Sequence, residues 1–324
     1  MSNQPPIEVP QGAIRLNTDS QRLEFFAQDR WYEFATDTPA LGRDTDVAAS
    51  TRGIFSGGRS QDLIEFITIS SAGNASPFGD ATINHEGAAV ASRTRYCGAG
   101  TIGYSNVIDF VTFSSTGNAQ NFGDLTTAVR SVNACSNETR GLFLGGITPS
   151  SPRINIIQYV TIASTGDALD YGDLITVSGN GSGNAASPTR GLCLGGTSDD
   201  TGSAQFVTIP TLGNSQTFGD LLGSQGNRGA TSNSIRAIHG YEGKVDVLTI
   251  ATLGNSTNFG DYVNDEAYKC GVSSPTRGVF GGGQPGINVM AYFNFATQGD
   301  AIDFGDLTTT HYVHIGSSNG HGGL

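Results

Sequence analysis

The chain has 324 residues, of which 14% are charged, 37% are hydrophobic and 46 are glycine. An average soluble domain has about 25% charged residues and about 7% glycine, so this composition indicates many turns and much β-structure. The formal net charge of −12 argues against a nucleic-acid-binding surface, because phosphate contacts need clustered Lys and Arg. Apolar stretches of about 18 residues are lacking, so we also expect no membrane insertion.

The N-terminal sequence divides into two segments. Residues 1–11 are Pro-rich, and we expect them to form a strap that docks on another protein subunit. Residues 12–38 contain GAIRLNTDSQRLEFFAQDRWYEFATD, which predicts two or three strands with a tight hairpin at Gln28–Asp29. The first residues lack a basic start and an apolar core, so we expect no cleaved secretion signal.

From about Arg43 onward, the chain contains six copies of an aromatic-Gly-Asp triplet. Each triplet follows a Gly-[Asn/Asp]-[Ala/Ser] sequence whose glycine lies five residues before the aromatic. The aromatics are separated by 44, 49, 47, 41 and 45 residues, and they are Phe78, Phe122, Tyr171, Phe218, Phe259 and Phe304. A period of about 45 residues suits four short strands per unit and predicts a β-propeller.

One repeat unit, Val129 to Leu174, shows four pieces. They are a small-residue strand VRSVNACS, an apolar strand TRGLFLGG, a β-branched strand INIIQYVTIAS, and TGDALDYGDL, which makes a turn and a short outer strand. The second piece recurs from Thr51, Thr189 and Thr276, and degraded versions start at Thr94 and Ser234. The sequence therefore predicts an all-β fold of four-stranded blades.

Counting first strands instead of triplets suggests a seventh blade. Six full repeats occupy residues 43–307, because DVAAS before Thr51 matches AAVAS in the next repeat. Residues 308–324 predict a further inner strand, since Leu307 to Leu324 spans the same 17 residues as Leu125 to Leu142. Residues 12–38 would supply the outer strands of that blade. We therefore expect one propeller domain, residues 12–324, with seven blades closed by both termini, and six blades as the alternative.

The glycine pair after each second strand and the aromatic near each fourth strand resemble the kelch-type propeller repeat, with Phe or Tyr where kelch repeats usually have Trp. The N-terminal GAIRLNTDSQRLEFFAQDRWYEF is similar to a β segment of tail-fibre and other appendage proteins of tailed bacteriophages. TRGLF-x-GG and TGNA-x-x-FGDL resemble repeats of phage structural proteins, especially those of marine and cyanobacterial phages.

The phage resemblance implies a structural virion protein, assembled in the host cytoplasm in several copies per particle and then extracellular. Its partners would be other virion proteins and a host surface glycan or receptor. As a tail-fibre or appendage module, it would display loops for host attachment. The alternative is capsid decoration or a baseplate role without a host ligand, and the third hypothesis is an enzyme that acts on polysaccharide.

Two sets of repeated charged residues are candidate sites. The triplet carboxylates would form a ring for calcium or sugar, but we favour a turn in which each Asp accepts backbone N–H bonds; they are Asp80, Asp124, Asp173, Asp220, Asp261 and Asp306. The arginines of the second strand would form an anion site, but we favour bonds to neighbouring backbone carbonyls or to the triplet Asp that bridge two blades; they are Arg52, Arg95, Arg140, Arg190 and Arg277.

No catalytic or metal-binding motif stands out. The sequence has no G-x-S-x-G, H-E-x-x-H, P-loop or C-x-x-C, so we expect no enzyme activity, no cofactor and no metal. His311 and His314 are three apart on a predicted strand and face opposite sides. The four cysteines are expected to be free and buried. Recognition is expected in the variable loops after the glycine pairs, with Tyr104, Tyr241 and Tyr268 as candidate stacking residues.

Overall fold

The computed structural model describes residues 9–17, 22–28, 30–33, 51–58, 60–150, 152–179, 183–196, 202–223, 229–241, 243–262, 269–284, 286–311 and 315–320. These residues form β-strands and turns and contain no helix, in agreement with the predicted all-β class. The chain separates into two compact units, Met1–Gly42 and Arg43–Leu324.

The N-terminal unit contains one antiparallel sheet of three strands, β1 (Ile14–Asn17), β2 (Arg22–Ala27) and β3 (Arg30–Glu33). The tight hairpin predicted at Gln28 is confirmed: Ala27 pairs with Arg30, and Gln28 has a φ of 49°. Asp29, the other predicted hairpin residue, lies outside the described residues. On one face of this sheet, the Arg15 guanidinium lies 4.0 Å from the Trp31 ring centroid.

The larger unit begins with the strands β4 (Arg52–Ser56), β5 (Leu63–Thr68), β6 (Ser76–Asp80), β7 (His85–Ala91), β8 (Arg95–Thr101), β9 (Ser105–Thr112), β10 (Gln120–Val129), β11 (Asn133–Ser136), β12 (Arg140–Leu144), β13 (Ile154–Thr161) and β14 (Leu169–Ser178). It continues with β15 (Gly183–Ala186), β16 (Arg190–Leu194), β17 (Ser203–Thr208), β18 (Gln216–Asp220), β19 (Ala230–Ser232), β20 (Arg236–Tyr241), β21 (Lys244–Thr249), β22 (Thr257–Asp261), β23 (Cys270–Ser273), β24 (Arg277–Gly281), β25 (Ile287–Asn294), β26 (Ile302–His311) and β27 (Ile315–Ser318).

These strands form six four-stranded antiparallel sheets, as expected for the blades of a β-propeller. Five blades use four consecutive strands: blade 2 is β7 to β10, blade 3 is β11 to β14, blade 4 is β15 to β18, blade 5 is β19 to β22 and blade 6 is β23 to β26. Blade 1 has the order β27-β4-β5-β6, so its first strand comes from the other end of the chain.

The pairing of β27 corrects the predicted closure. We expected the C-terminal segment to share a seventh blade with strands from residues 12–38. Instead, Ile315 pairs with Ser56 of β4, and the described strands of residues 12–38 pair with one another. The described residues thus contain six four-stranded sheets, the alternative count. The DVAAS segment that suggested an extra first strand lies outside the described residues.

The contacts between blades run through all six sheets and return to the first. The first strands touch in the cyclic order β27, β7, β11, β15, β19, β23 and again β27. Apolar side chains fill each of the six boundaries; between blades 1 and 2, for example, Ile54 and Phe78 pack in one cluster with Tyr96 and Phe113. The core of this unit therefore lies between its sheets, where apolar burial holds each blade to its neighbours.

The buried Ile315 of β27 tests whether the C-terminal strand is part of this core. Ile315→Ala should lower the free energy of unfolding by about 2–4 kcal/mol, because it removes buried methyl groups next to the Ile54 cluster. Ile235→Ala makes the same change at a side chain that is 60% exposed, and it should cost less than about 0.5 kcal/mol. Urea unfolding measures both variants, and equal small effects would contradict the pairing of β27 with blade 1.

Candidate functional site

The aromatic-Gly-Asp triplet joins each blade to the next through backbone hydrogen bonds. Between blades 2 and 3, the Gly166 N–H donates to the Phe122 carbonyl at 2.8 Å. The Ala168 N–H donates to the Asp124 carbonyl at 2.8 Å, and the Asp124 N–H donates to Asp167 Oδ1 at 3.0 Å. The same three bonds, which we call the blade clasp, occur at all six triplets, Phe78–Asp80, Phe122–Asp124, Tyr171–Asp173, Phe218–Asp220, Phe259–Asp261 and Phe304–Asp306.

The middle residue of the triplet must be glycine because the two chains approach so closely. Gly172 has a φ of 148°, and a Cβ atom at this position would lie 2.6 Å from the Gly213 carbonyl oxygen of the next blade. The preceding Tyr171 is buried and packs edge-on against Tyr159 of its own blade, with ring centroids 6.2 Å apart. The triplet thus serves packing and backbone bonding.

The six triplet carboxylates are not brought together as an acidic site. Within the described part of the chain, no group of three or more His, Cys, Asp or Glu is arranged to hold a metal ion. Each triplet Asp accepts a backbone N–H bond, as predicted, but it lies in a fourth strand instead of a turn, as Asp80 does in β6 and Asp124 in β10. Each Asp takes part through its backbone N–H and carbonyl, while the side chain that completes the clasp is the Asn or Asp of the following blade.

The arginines of the second strands bridge neighbouring blades, as predicted. Arg140 Nη1 donates to the carbonyl oxygens of Ile209 and Pro210 in the next blade, at 3.0 and 2.9 Å. Its guanidinium also lies 5.0 Å from the ring centroid of Tyr159 in its own blade. The same bridge is made by Arg52, Arg95, Arg190, Arg236 and Arg277. These contacts hold the guanidinium groups at carbonyl oxygens of the next blade. Arg236 is a sixth bridging arginine, which was not predicted because the repeat that starts at Ser234 is degraded.

A buried polar side chain on the third strand forms a further link that the sequence analysis missed. In blade 3, Gln158 Oε1 accepts hydrogen bonds from the Thr126 N–H and hydroxyl of blade 2, at 2.7 and 2.9 Å. Acidic or amide side chains occupy the corresponding place in four other blades, at Glu65, Asp109, Gln205 and Asp246. The sequence contains a signal for this link, because the third strands of these blades have one polar residue among apolar ones, as in LIEFIT, VIDFVT and IIQYVT.

Ser56, His85 and Asp109 have the order of groups found in a nucleophile-base-acid set. Ser56 Oγ lies 2.9 Å from His85 Nδ1, and His85 Nε2 lies 2.9 Å from Asp109 Oδ1. Ser56 and His85 are 0% exposed and Asp109 is 1% exposed, so a substrate cannot reach the hydroxyl. Burial also raises the pKa of the neighbouring Tyr96 well above its usual value. The set is a buried polar link between blades 1 and 2.

A second buried histidine joins blade 6 to blade 1. His311 Nδ1 lies 2.8 Å from the Gly57 carbonyl, so Nδ1 carries a proton, and His311 Nε2 lies 2.6 Å from Glu65 Oε2. The other oxygen of Glu65 accepts hydrogen bonds from the N–H and hydroxyl of Thr308. His314, which was predicted to face the opposite side, lies outside the described residues.

The four cysteines are free and buried, as expected; they are Cys97, Cys135, Cys193 and Cys270. Burial raises the pKa of the Cys97, Cys135 and Cys270 thiols, which keeps them protonated and poorly nucleophilic.

Part of the predicted recognition surface can be placed. Tyr104 has a φ of 58° and packs against the Arg130 guanidinium, which lies 5.2 Å from its ring centroid. The Tyr104 ring is partly buried, and its predicted role as a stacking residue stays a prediction. The side chain of Tyr241 and all of Tyr268 lie outside the described residues, as do parts of the variable loops.

A groove lies beside blade 5. It has a volume of about 510 Å³ and is lined by Arg236, Val247 and Phe259, with residues of the following turn and of blade 6. In five blades, the position of Val247 carries an aromatic ring, namely Phe66, Phe110, Tyr159, Phe206 and Tyr292. The groove lies where blade 5 lacks that ring, and it is the candidate binding site of this unit.

The blade clasp predicts a strong effect of a single methyl group. Gly172→Ala should lower the free energy of unfolding by about 2–3 kcal/mol, because its Cβ meets the Gly213 carbonyl at a positive φ. Gly299→Ala is the matched control, since nothing lies within 4 Å of the added Cβ. Chemical denaturation compares the two variants; a Gly172→Ala protein as stable as the Gly299→Ala protein would contradict the clasp.

The buried carboxylate of Glu65 gives a second prediction. Glu65→Met removes the buried carboxylate that lies 2.6 Å from His311 Nε2 and accepts from the Thr308 N–H, and should cost about 3 kcal/mol of folding stability. Glu65→Gln should cost less, because an amide oxygen serves the same bond at Gln158. Thermal unfolding followed by circular dichroism measures the stability of both variants. A Glu65→Gln protein that is less stable than the Glu65→Met protein would rule out the role of Glu65 as a hydrogen-bond acceptor.

No helix in the described ranges is long and apolar enough to cross a membrane. No protein-family model and no curated protein matches this chain.

Proposed function

We propose that the chain is a non-enzymatic scaffold of a tailed-phage particle, built on a closed six-bladed propeller that displays loops for host attachment. The observation that carries this proposal is the use of the repeated residues. The triplets, the second-strand arginines and the buried third-strand polar groups all contact the neighbouring blade. Residues that repeat around the unit hold it together, which leaves recognition to the residues that differ between blades.

Ring closure is supported by the contacts between the last blade and the first. The Gly73 N–H donates to the Phe304 carbonyl at 2.7 Å, and the Ala75 N–H donates to the Asp306 carbonyl at 2.8 Å. Arg277 Nη1 donates to the Ile69 carbonyl at 3.3 Å. These are the clasp and the arginine bridge that join every other pair of blades. A closed ring leaves no free edge for pairing with other chains at this boundary.

A non-enzymatic role is supported by the state of the candidate catalytic groups. The Ser56 hydroxyl that faces His85 is fully buried, and the triplet carboxylates belong to separate blades. A hydrolase needs its nucleophile or its acid pair at a surface that substrate can reach. Ser56, His85 and Asp109 form a buried link between blades 1 and 2.

The virion role rests on the resemblance of the N-terminal segment and the repeat to phage proteins. The N-terminal sheet adds a physical argument for docking. Ile14 pairs with Phe25, which stacks on Tyr32, so these residues and Leu16 share one apolar face. Ile14 and Leu16 are 64% and 61% exposed. We propose that this face, together with the strap of residues 1–11, binds another virion protein.

Host attachment would then result from many copies on one particle. Each loop contact with a cell-surface glycan or receptor can be weak, because copies held together bind with a high effective concentration. Assembly would take place in the host cytoplasm, and the protein would act outside the cell as part of the released particle.

Two charges on the apolar face test the docking role. The double variant Ile14→Asp and Leu16→Asp should keep the melting temperature of the propeller and its binding to host cells, but lose attachment to purified particles. Ile302→Asp, at a side chain that is 47% exposed on blade 6, is the control and should attach normally. Attachment and cell binding are measured by co-sedimentation.

Particle attachment by the double variant would contradict docking through this face. Normal attachment of the unaltered protein without any binding to host cells or glycan arrays would overturn the host-attachment role, and would favour capsid decoration or a baseplate role.

A further inference from the structure

Five blades share an arrangement of two groups around one aromatic ring. The third-strand ring lies under the arginine of the second strand and edge-on to the aromatic of the triplet. In blade 4, the Arg190 guanidinium is 4.8 Å from the Phe206 ring centroid, and Phe206 is 6.1 Å from Phe218 at an interplanar angle of 81°. The other four rings have arginines at 4.7 to 5.0 Å; they are Phe66, Phe110, Tyr159 and Tyr292.

Blade 5 keeps both neighbours of this ring and lacks the ring itself. Val247 pairs with Ile238 in the register that pairs Phe206 with Leu192 in blade 4. Arg236 and Phe259 are the arginine and the triplet aromatic of blade 5, and both line the 510 Å³ groove beside Val247. The groove is therefore the place of a missing aromatic side chain.

The walls of the groove are held in place without that ring. Arg236 Nη1 donates to the Phe295 carbonyl of blade 6 at 2.5 Å, so the bridge to the next blade is intact. Phe259 packs edge-on against Phe293 of blade 6, with ring centroids 6.0 Å apart. A ligand would meet a site that is already formed, which reduces the entropy lost on binding.

The groove opens to solvent through a polar rim. Thr249, Thr252, Thr257 and Asn258 lie on its blade 5 side, and Gln298 lies on its blade 6 side and donates to the Asn258 carbonyl at 2.9 Å. Hydroxyl and amide groups at the mouth can bond the amide groups that flank a side chain in a peptide. A cation over an aromatic face and a ring edge against it are the contacts that favour an aromatic guest over a sugar.

We propose that the groove of blade 5 binds an aromatic side chain, Tyr or Phe, of a partner polypeptide. The incoming ring takes the position that the chain fills with its own ring in the other five blades. It lies against the Arg236 guanidinium, edge-on to Phe259, and covers Val247. This site is independent of the virion role proposed above, because it rests only on the geometry of the blade.

The test uses N-acetyl-L-tyrosine amide as the probe, with binding followed by saturation-transfer NMR on the full chain. The unaltered protein should bind the probe at one site. Val247→Phe should weaken binding at least about tenfold, equivalent to about 1.4 kcal/mol, because the new ring fills the groove as in the other blades. Phe206→Val should add a second site in blade 4. Methyl β-D-glucoside is the control ligand and should not bind in the groove.

Three results would overturn the proposal. The first is no detectable binding of the probe to the unaltered protein at concentrations up to about 10 mM. The second is unchanged binding by the Val247→Phe variant, and the third is glucoside binding that Val247→Phe abolishes. The last would assign the groove to a glycan. The Val247→Phe variant is expected to fold normally because five blades hold a ring at this position, and its melting temperature provides the check.

Discussion

The backbones of neighbouring blades approach each other so closely that no side chain fits between them. The remaining features of the repeat depend on this close contact. At the blade clasp, the glycine of the triplet lies against the glycine carbonyl of the next blade, as Gly172 lies against Gly213. The aromatic before it anchors the strand in the core, and the Asn or Asp of the following turn closes the contact. The triplet recurs with fixed spacing because a shift of one residue would separate the two backbones.

The strands β4 and β27 are held together by hydrogen bonds that replace those of a covalent turn. In blade 3, the Arg140 N–H donates to Asn137 Oδ1 at 2.8 Å, and the Asn137 N–H donates to the Arg140 carbonyl at 3.0 Å. In blade 1, the Arg52 N–H donates to Asn319 Oδ1 at 2.7 Å, and the Asn319 N–H donates to the Arg52 carbonyl at 3.1 Å. The hydrogen bonds of this turn are thus present between β27 and β4, although these strands are not consecutive in the chain. The strand β27 serves as the first strand of blade 1.

Much of this architecture was predictable from the sequence, since the strands, the repeated triplets and the arginine bridges each have a local pattern. The partner of β27 was not predictable from spacing. In a cyclic repeat, the residue spacing is the same whether a terminal strand starts a new blade or completes the first blade. The buried pair of Glu65 and His311 was missed for a related reason, because its members are far apart in the sequence and meet only where blade 6 contacts blade 1. Val247 was visible as a break in the pattern, but its meaning depends on the arginine and the ring that flank it in other blades.

The most direct measurement of the central claim is amide hydrogen exchange at the boundary between blades 6 and 1. The Gly73 and Ala75 amides donate across this boundary as the Gly166 and Ala168 amides do between blades 2 and 3. If all six clasps are equivalent, the four amides should exchange with similar protection and respond together to added denaturant. Exchange at Gly73 and Ala75 that is faster by orders of magnitude than at Gly166 and Ala168 would show an open boundary and contradict the account.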